Sequence, residues 1–173
     1  AALVATEFPT GRNLGNLNNH LGLPLSILRL ADNVKVAVLE MGMNHEGEIR
    51  DLAAIAQPQI GVVTNVGWAH TENFTDGIAG VARAKSELIQ ALPREGTAVL
   101  NADDPRVREF RKLHSGRTIL FGLAEDAEVR AENVELSPAG ARFRALGVDF
   151  ESPLAGRHGV SNVLAGIAAA RAL

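Results

Sequence analysis

Apolar and polar positions along the chain alternate between two periods. Short aliphatic runs of strand length are separated by longer stretches in which apolar residues recur at helical spacing. Leu3 to Thr6 reads as a weak first strand. A Gly/Asn-rich segment follows from Gly11 to Gly22, and Pro24 opens a short helix through about Leu30, in the first turn, where a missing N–H costs nothing. Val34 to Leu39 is nearly all apolar, which predicts a strand buried on both faces. Gly47 to Ala56 reads as a helix stopped by Pro58, and Ile60 to Val66 as a second strong strand. Asp76 stands where it would cap a helix running to about Ala91, with Pro93 just beyond its end. Thr97 to Leu100 is a strand, Pro105 to Leu113 a helix and Thr118 to Phe121 a strand.

The pattern then changes. Glu128 to Leu136 and Ala141 to Phe150 alternate apolar with polar around Ser137-Pro138-Ala139-Gly140, which predicts a β-hairpin with one wet face. A last helix is expected from near Val160 through an Ala-rich run to Leu173. Strand–helix alternation through residue 121 predicts an α/β fold. Its sheet is doubly wound and mostly parallel, with right-handed crossovers, helices on both faces and an appended antiparallel hairpin. The hairpin, residues 128–150, belongs to the same domain, so residues 1–173 form one domain.

Composition narrows the classes. A length of 173 residues suffices for a sizeable core, and 46% hydrophobic with 21% charged residues is ordinary for a soluble protein. Only 4% are aromatic, so the core is built from Val, Ile, Leu and Ala, a diet suited to parallel sheet covered on both faces. A net charge of −3 gives no electrostatic case for nucleic acid. No apolar run approaches the roughly 20 residues that cross a bilayer, and no signal peptide is visible. With no Cys there is neither a disulfide framework nor a thiolate metal site. A cytoplasmic location fits these properties.

Ligands of open α/β sheets sit beyond the carboxyl ends of the parallel strands. Unusual polar residues collect there three times: Glu40-Met41-Gly42-Met43-Asn44-His45, Gly67-Trp68-Ala69-His70-Thr71-Glu72, and Asn101-Ala102-Asp103-Asp104-Pro105. Glu, His and Asp on one rim suit a cation and a phosphorylated ligand. Each also has an ordinary reading. Glu40 is equally placed to cap the next helix, and His70 alone reads as a loop histidine. Asp103-Asp104-Pro105 reads by default as a helix N-terminus. Lys85, among the small residues Val81, Ala82 and Ala84, is by itself a solvated lysine paired with an acid. Coincidence on one edge favours the ligand site, since capping does not require it.

Six motifs together carry a resemblance. They are Asn16-Leu17-Asn18-Asn19 leading to Gly22-Leu23-Pro24; Glu40-Met41-Gly42 with Asn44-His45 and Gly47-Glu48-Ile49; and Asn65-Val66-Gly67 with Ala69-His70 and Glu72. Ala84-Lys85-Ser86-Glu87, Asn101-Ala102-Asp103-Asp104, and Gly156-Arg157-His158 with Asn162 complete the set. In order and spacing they resemble the central domain of the Mur ligases over almost the whole chain. Glu-Met-Gly followed by Asn-His is similar to the members that add D-alanyl-D-alanine to UDP-N-acetylmuramoyl-tripeptide, in peptidoglycan precursor synthesis. Mur-like domains of cyanophycin synthetase and folylpolyglutamate synthetase share the scaffold.

The resemblance implies an ATP-dependent amide ligase working through an acyl phosphate, with ATP and Mg2+ as cofactors. By it Glu40 and His70 hold magnesium, and Lys85 is carbamylated to steady a second magnesium. It also sets Asn18 and Asn19 near the substrate, His158 and Asn162 near the adenine, and Asn101 and Asp104 beside the nucleotide. Carbamylation requires a neutral amine, so Lys85 is expected to be shielded, with a lowered pKa.

Three departures qualify this reading. The family's Gly-x-x-Gly-Lys-Thr-Thr phosphate loop is absent from these residues and is expected upstream of Ala1. The C-terminal domain that closes over the nucleotide is also absent. Gly159 replaces the usual Asn after Arg-His, and Phe8 to Leu14 is longer than the usual stretch. The expectation is an incomplete domain, inactive alone, whose partners are the remaining domains of a longer enzyme. A non-catalytic Mur-like binding module stands as the alternative; a generic dinucleotide binder lacks its G-x-G-x-x-G turn.

Overall fold

The computed structural model describes all of residues 1–173. Along the chain run β1 (Thr10–Arg12), α1 (Gly22–Leu28), β2 (Val36–Val38), α2 (Glu48–Ala56), β3 (Ile60–Val63) and α3 (Ile78–Gln90). They are followed by β4 (Thr97–Asn101), α4 (Pro105–Glu109), β5 (Arg117–Gly122), β6 (Val129–Arg130), β7 (Glu132–Ser137), β8 (Gly140–Ala145), β9 (Val148–Ser152) and α5 (Gly156–Arg171). Strands β3, β4, β5 and β6 lie side by side in that order, every pair parallel. β1 and β2 make a separate parallel pair, and β7, β8 and β9 an antiparallel sheet.

Strand β4 is buried throughout, and its alternation divides the interior in two. Ala98 and Leu100 face a core shared with Ile49 of α2, Val81, Ala84 and Ile89 of α3, and Val107 of α4. Val99 faces the other core, built with Ile119 and Phe121 of β5, Phe143 of β8, and Val160, Leu164 and Ala168 of α5. Helices therefore cover both faces of the sheet, as the aliphatic composition requires. No helix is long and apolar enough to cross a membrane.

Five expectations are corrected. Residues 3–6 are not a strand: Val4–Thr6 forms a single 3₁₀ turn, and the first strand comes at Thr10–Arg12. The run 128–150 is more than a hairpin. Val129–Arg130 joins the parallel sheet, and the segment 141–150 folds back at Leu146-Gly147 to give β8 and β9. Both turn residues adopt left-handed backbone, φ 52° and 78°, which is the geometry of a two-residue type I′ turn. Asp76 does not cap α3: Gly77 holds the N-cap position without a side-chain bond, and the Asp76 carboxylate pairs with Arg83. α5 starts at Gly156, one turn before the expected Val160.

The fifth correction concerns β2. Its apolar run predicted burial on both faces, yet Val38 is 37% exposed. The cause is a gap in the sheet. β2 pairs with β1, β3 pairs with β4, and nothing joins β2 to β3. Between them lies a cavity of about 810 Å³, lined mainly by apolar side chains from β2, β3, α3 and α5, Val38, Val62, Leu88 and Ala169 among them.

Leu100 is fully buried in the shared strand. Leu100→Ala is expected to lower stability by about 2–5 kcal/mol in chemical denaturation. Leu28→Ser, at a position 81% exposed, is expected to stay within about 0.5 kcal/mol of the parent.

Candidate active site

Strands β3 to β6 run parallel and so end on one side, and the loops leaving those ends are tied by side-chain bonds to backbone. Asn101, at the end of β4, donates to the Thr64 carbonyl (2.7 Å) and accepts from the Asp103 N–H (2.9 Å). Asp104 caps α4, accepting from Arg106 and Val107, and also takes the Val66 N–H at 2.7 Å. Asp103 accepts from Leu123 and Ala124 beyond β5. Asn101 and Asp104, expected beside a nucleotide, thus have their side-chain polar atoms engaged within the chain. They stitch the rim together.

Glu40 lies two residues past β2 and is exposed. Its Oε1 accepts from Asn18 Nδ2 at 2.6 Å, which leaves Oε2 for another partner. The Gly42 N–H donates to the Asn18 carbonyl at 2.8 Å. A Cβ on Gly42 would meet Asn18 Oδ1 at 2.8 Å, so the two loops approach this closely only because residue 42 is glycine. Asn19 turns its carboxamide to the Leu21 and Gly22 N–H groups and so starts α1.

Lys85 is half-buried on α3, and its ammonium donates to the Asn65 carbonyl at 2.8 Å. Burial pushes its pKa below the ordinary lysine range; the Asp104 carboxylate opposes the shift without cancelling it. Lys85 and Glu40 line the same 810 Å³ cavity. His70, exposed and with left-handed backbone (φ 67°), lines a second, polar cavity of about 430 Å³ together with Asn18, Asn19, Asn44 and Glu48. Asn18 links the two, since it borders the second cavity and bonds the carboxylate that borders the first. No group of three or more His, Asp or Glu side chains is clustered for a metal. The expected set holds only two such residues, and its third ligand exists only once Lys85 is carbamylated. The free Glu40 carboxylate oxygen is the donor type a hard divalent cation takes, whereas the His70 imidazole and the Lys85 amine are nitrogen donors. His158 and Asn162, one turn apart on the exposed side of α5, line neither cavity.

Sequence reasoning passed over three supporting residues. Asn13, only 9% exposed, accepts from the Glu40 N–H and donates to the Glu40 carbonyl. Glu87 of α3 accepts from Gly47 N and Arg50 N and thereby caps α2 from a distance. Glu48 accepts from Asn44 and His45, and those bonds hold its carboxyl below the usual carboxylate range. Glu48 and Glu87 belong to the recognised motifs, but nothing in their spacing separates a cap from a ligand.

Residues 2–170 match the family model described as the Mur ligase middle domain. The chain is 35% identical over 170 residues to UDP-N-acetylmuramoyl-tripeptide--D-alanyl-D-alanine ligase of Bacillus subtilis, covering 97% of this chain and 36% of that protein. The crystal structure of MurF from Acinetobacter baumannii superposes with a TM-score of 0.92 at 35% identity, over 99% of this chain and 38% of that one. MurF ligase from Thermotoga maritima in complex with ADP superposes with a TM-score of 0.82 at 29% identity, over 98% and 40%. The chain thus spans about a third of the length of the relatives it matches.

NMR titration of the lysine side chains is expected to put Lys85 below the ordinary lysine range. Asp104→Asn keeps a capping side chain but removes the opposing charge, so the Lys85 midpoint is expected to fall further. A midpoint that stays or rises in that variant contradicts the arrangement. The sign for stability follows: a lysine held low opposes folding while it is charged. The penalty is complete below its folded value and fades as pH climbs to its unfolded value, so stability rises with pH across that window.

Proposed function

The chain belongs to the Mur ligase middle domain family, and from that premise we propose that it is the nucleotide- and magnesium-binding part of a longer ligase. That enzyme joins D-alanyl-D-alanine to UDP-N-acetylmuramoyl-tripeptide at the expense of ATP, as a step toward peptidoglycan precursor. The observation that carries the reading is the meeting of Glu40 and Lys85 on one cavity, tied through Asn18 to the cavity that His70 borders. A cytoplasmic location goes with this reading.

The reaction has two steps. A substrate carboxylate oxygen attacks the γ-phosphorus of ATP, the bond to the β–γ bridging oxygen breaks, and ADP leaves an acyl phosphate behind. The dipeptide amine then attacks the acyl carbon, phosphate departs, and the nitrogen loses its proton. Magnesium, when bound, neutralises charge on the transferring phosphoryl group. Glu40 and His70 would hold it, and Lys85, as a carbamate, would steady a second. Burial of the Lys85 amine supports that role, because the neutral form is the one that reacts with carbon dioxide. The carboxamide of Asn18 orients Glu40 and faces the substrate side with Asn19. Asn101 and Asp104 keep the nucleotide rim in shape. His158 and Asn162 would meet the adenine from the start of α5.

Residues 1–173 are proposed to be one domain that a further segment completes. The gap between β2 and β3 has apolar walls and two unpaired strand edges, which suits one more parallel strand. A strand there would end on the rim beside Glu40 and Lys85, where a phosphate-binding turn belongs.

In the complete polypeptide, phosphate release from ATP is expected to require both the tripeptide substrate and D-alanyl-D-alanine. Glu40→Ala, His70→Ala and Lys85→Ala are each expected to lower turnover by about 10²–10³-fold. Residues 1–173 alone are expected to give none. Turnover by the isolated chain overturns the incomplete-domain reading; undiminished turnover in the three variants overturns the site.

A further inference from the structure

We propose that Asn13 is a positioning residue for Glu40, acting through the Glu40 backbone and the Asn18 loop rather than by touching substrate. The proposal rests on the reading of Glu40 as a cation ligand. β1 and β2 pair in parallel up to Arg12 and Val38, and there the ladder stops. The next residue of β1 continues it with a side chain. Asn13 Oδ1 accepts from the Glu40 N–H at 2.6 Å, and Asn13 Nδ2 donates to the Glu40 carbonyl at 3.2 Å. A carboxamide bonded to the two peptide groups that flank the Glu40 Cα holds that residue's backbone from both sides, as a neighbouring strand would.

The same Nδ2 donates to the Leu17 carbonyl at 2.7 Å. That bond fixes the residue immediately before Asn18, whose own carboxamide holds Glu40 Oε1. Asn13 is thus the one buried group bonded both to the backbone of the carboxylate-bearing residue and to the loop that aims the carboxylate. It is 9% exposed and lines neither cavity. Glu40 itself is exposed and without a salt bridge, so no packing of its own side chain would hold it in place. Aim must come from its backbone and from Asn18.

The test uses Asn13→Asp and Asn13→Ala in the complete polypeptide, with Glu40→Ala alongside. Mn2+ serves as the probe of the cation site, its binding read by electron paramagnetic resonance, and turnover is followed against Mg2+ concentration. Asn13→Asp keeps the acceptor for the Glu40 N–H and loses both donations, so it serves where the alanine variant fails to fold. The expected result is Mn2+ affinity weakened about 10–100-fold in the Asn13 variants, the size seen when an outer support of a metal ligand is removed. Excess Mg2+ is expected to restore turnover, and the KM for ATP at saturating Mg2+ to stay near the parent value. Parent-like Mn2+ affinity in the Asn13 variants with a loss in Glu40→Ala overturns the positioning role alone. A turnover defect in them that excess Mg2+ does not restore also overturns it. Parent-like Mn2+ affinity in Glu40→Ala overturns the cation reading, and this proposal with it.

Discussion

A peptide group that leaves the end of a parallel strand loses its ladder partner, and a buried peptide group without a partner is costly. The rim of this domain is organised by that constraint. Asn13 takes over beyond β1, Asn101 beyond β4, and Asp103 and Asp104 bind the backbone of neighbouring loops. Short side chains with oxygen and nitrogen at their tips suit this work because they reach a nearby peptide without a long, mobile stem. The side of the sheet where a ligand belongs is therefore the side that must be richest in Asn and Asp, ligand or no ligand.

That overlap explains what could and could not be read from the chain. Strands β3, β4 and β5 were legible because each carries a short aliphatic run bounded by turn residues, although only β4 is buried throughout. The helices between them followed from the change of period. The antiparallel region was legible in kind but not in strand number. The deciding event is a left-handed pair at Leu146-Gly147, and Leu in that conformation leaves no compositional mark. β2 was misjudged for a tertiary reason. An apolar run states that burial is wanted, but only the sheet order reveals that β2 and β3 do not pair and leave a gap between them.

The same logic sorts the site residues. Glu40, His70 and Lys85 were singled out by motif, and the fold sets Glu40 and Lys85 on one cavity with His70 on its neighbour. Asn101 and Asp104 came with the same motifs, yet their polar atoms serve the backbone. Asn19 likewise starts α1. Motif recognition selects positions that matter; it does not separate a residue that touches ligand from one that holds the loop in place. Asn13 shows the complementary failure. It lies in the stretch that departs from the family pattern, so no motif pointed to it, although it is buried and bonds the Glu40 backbone twice.

Lys85 shows how the two kinds of residue depend on one another. Its helix brings the amine under the sheet rim, where burial disfavours the charged form. Taken alone, that environment would be a defect, since the ammonium finds only one carbonyl, that of Asn65. Asp104 lies close enough to favour the charged form, but its oxygens are already shared among the N–H groups of Val66, Arg106 and Val107. Those bonds spread its negative charge over the backbone and hold it off a direct pair with the amine. A carboxylate free of such duties would close on Lys85 as an ion pair and keep it protonated. The capping role of Asp104 thus has a consequence for chemistry: its charge opposes the effect of burial without cancelling it, and the Lys85 pKa stays below the ordinary lysine range.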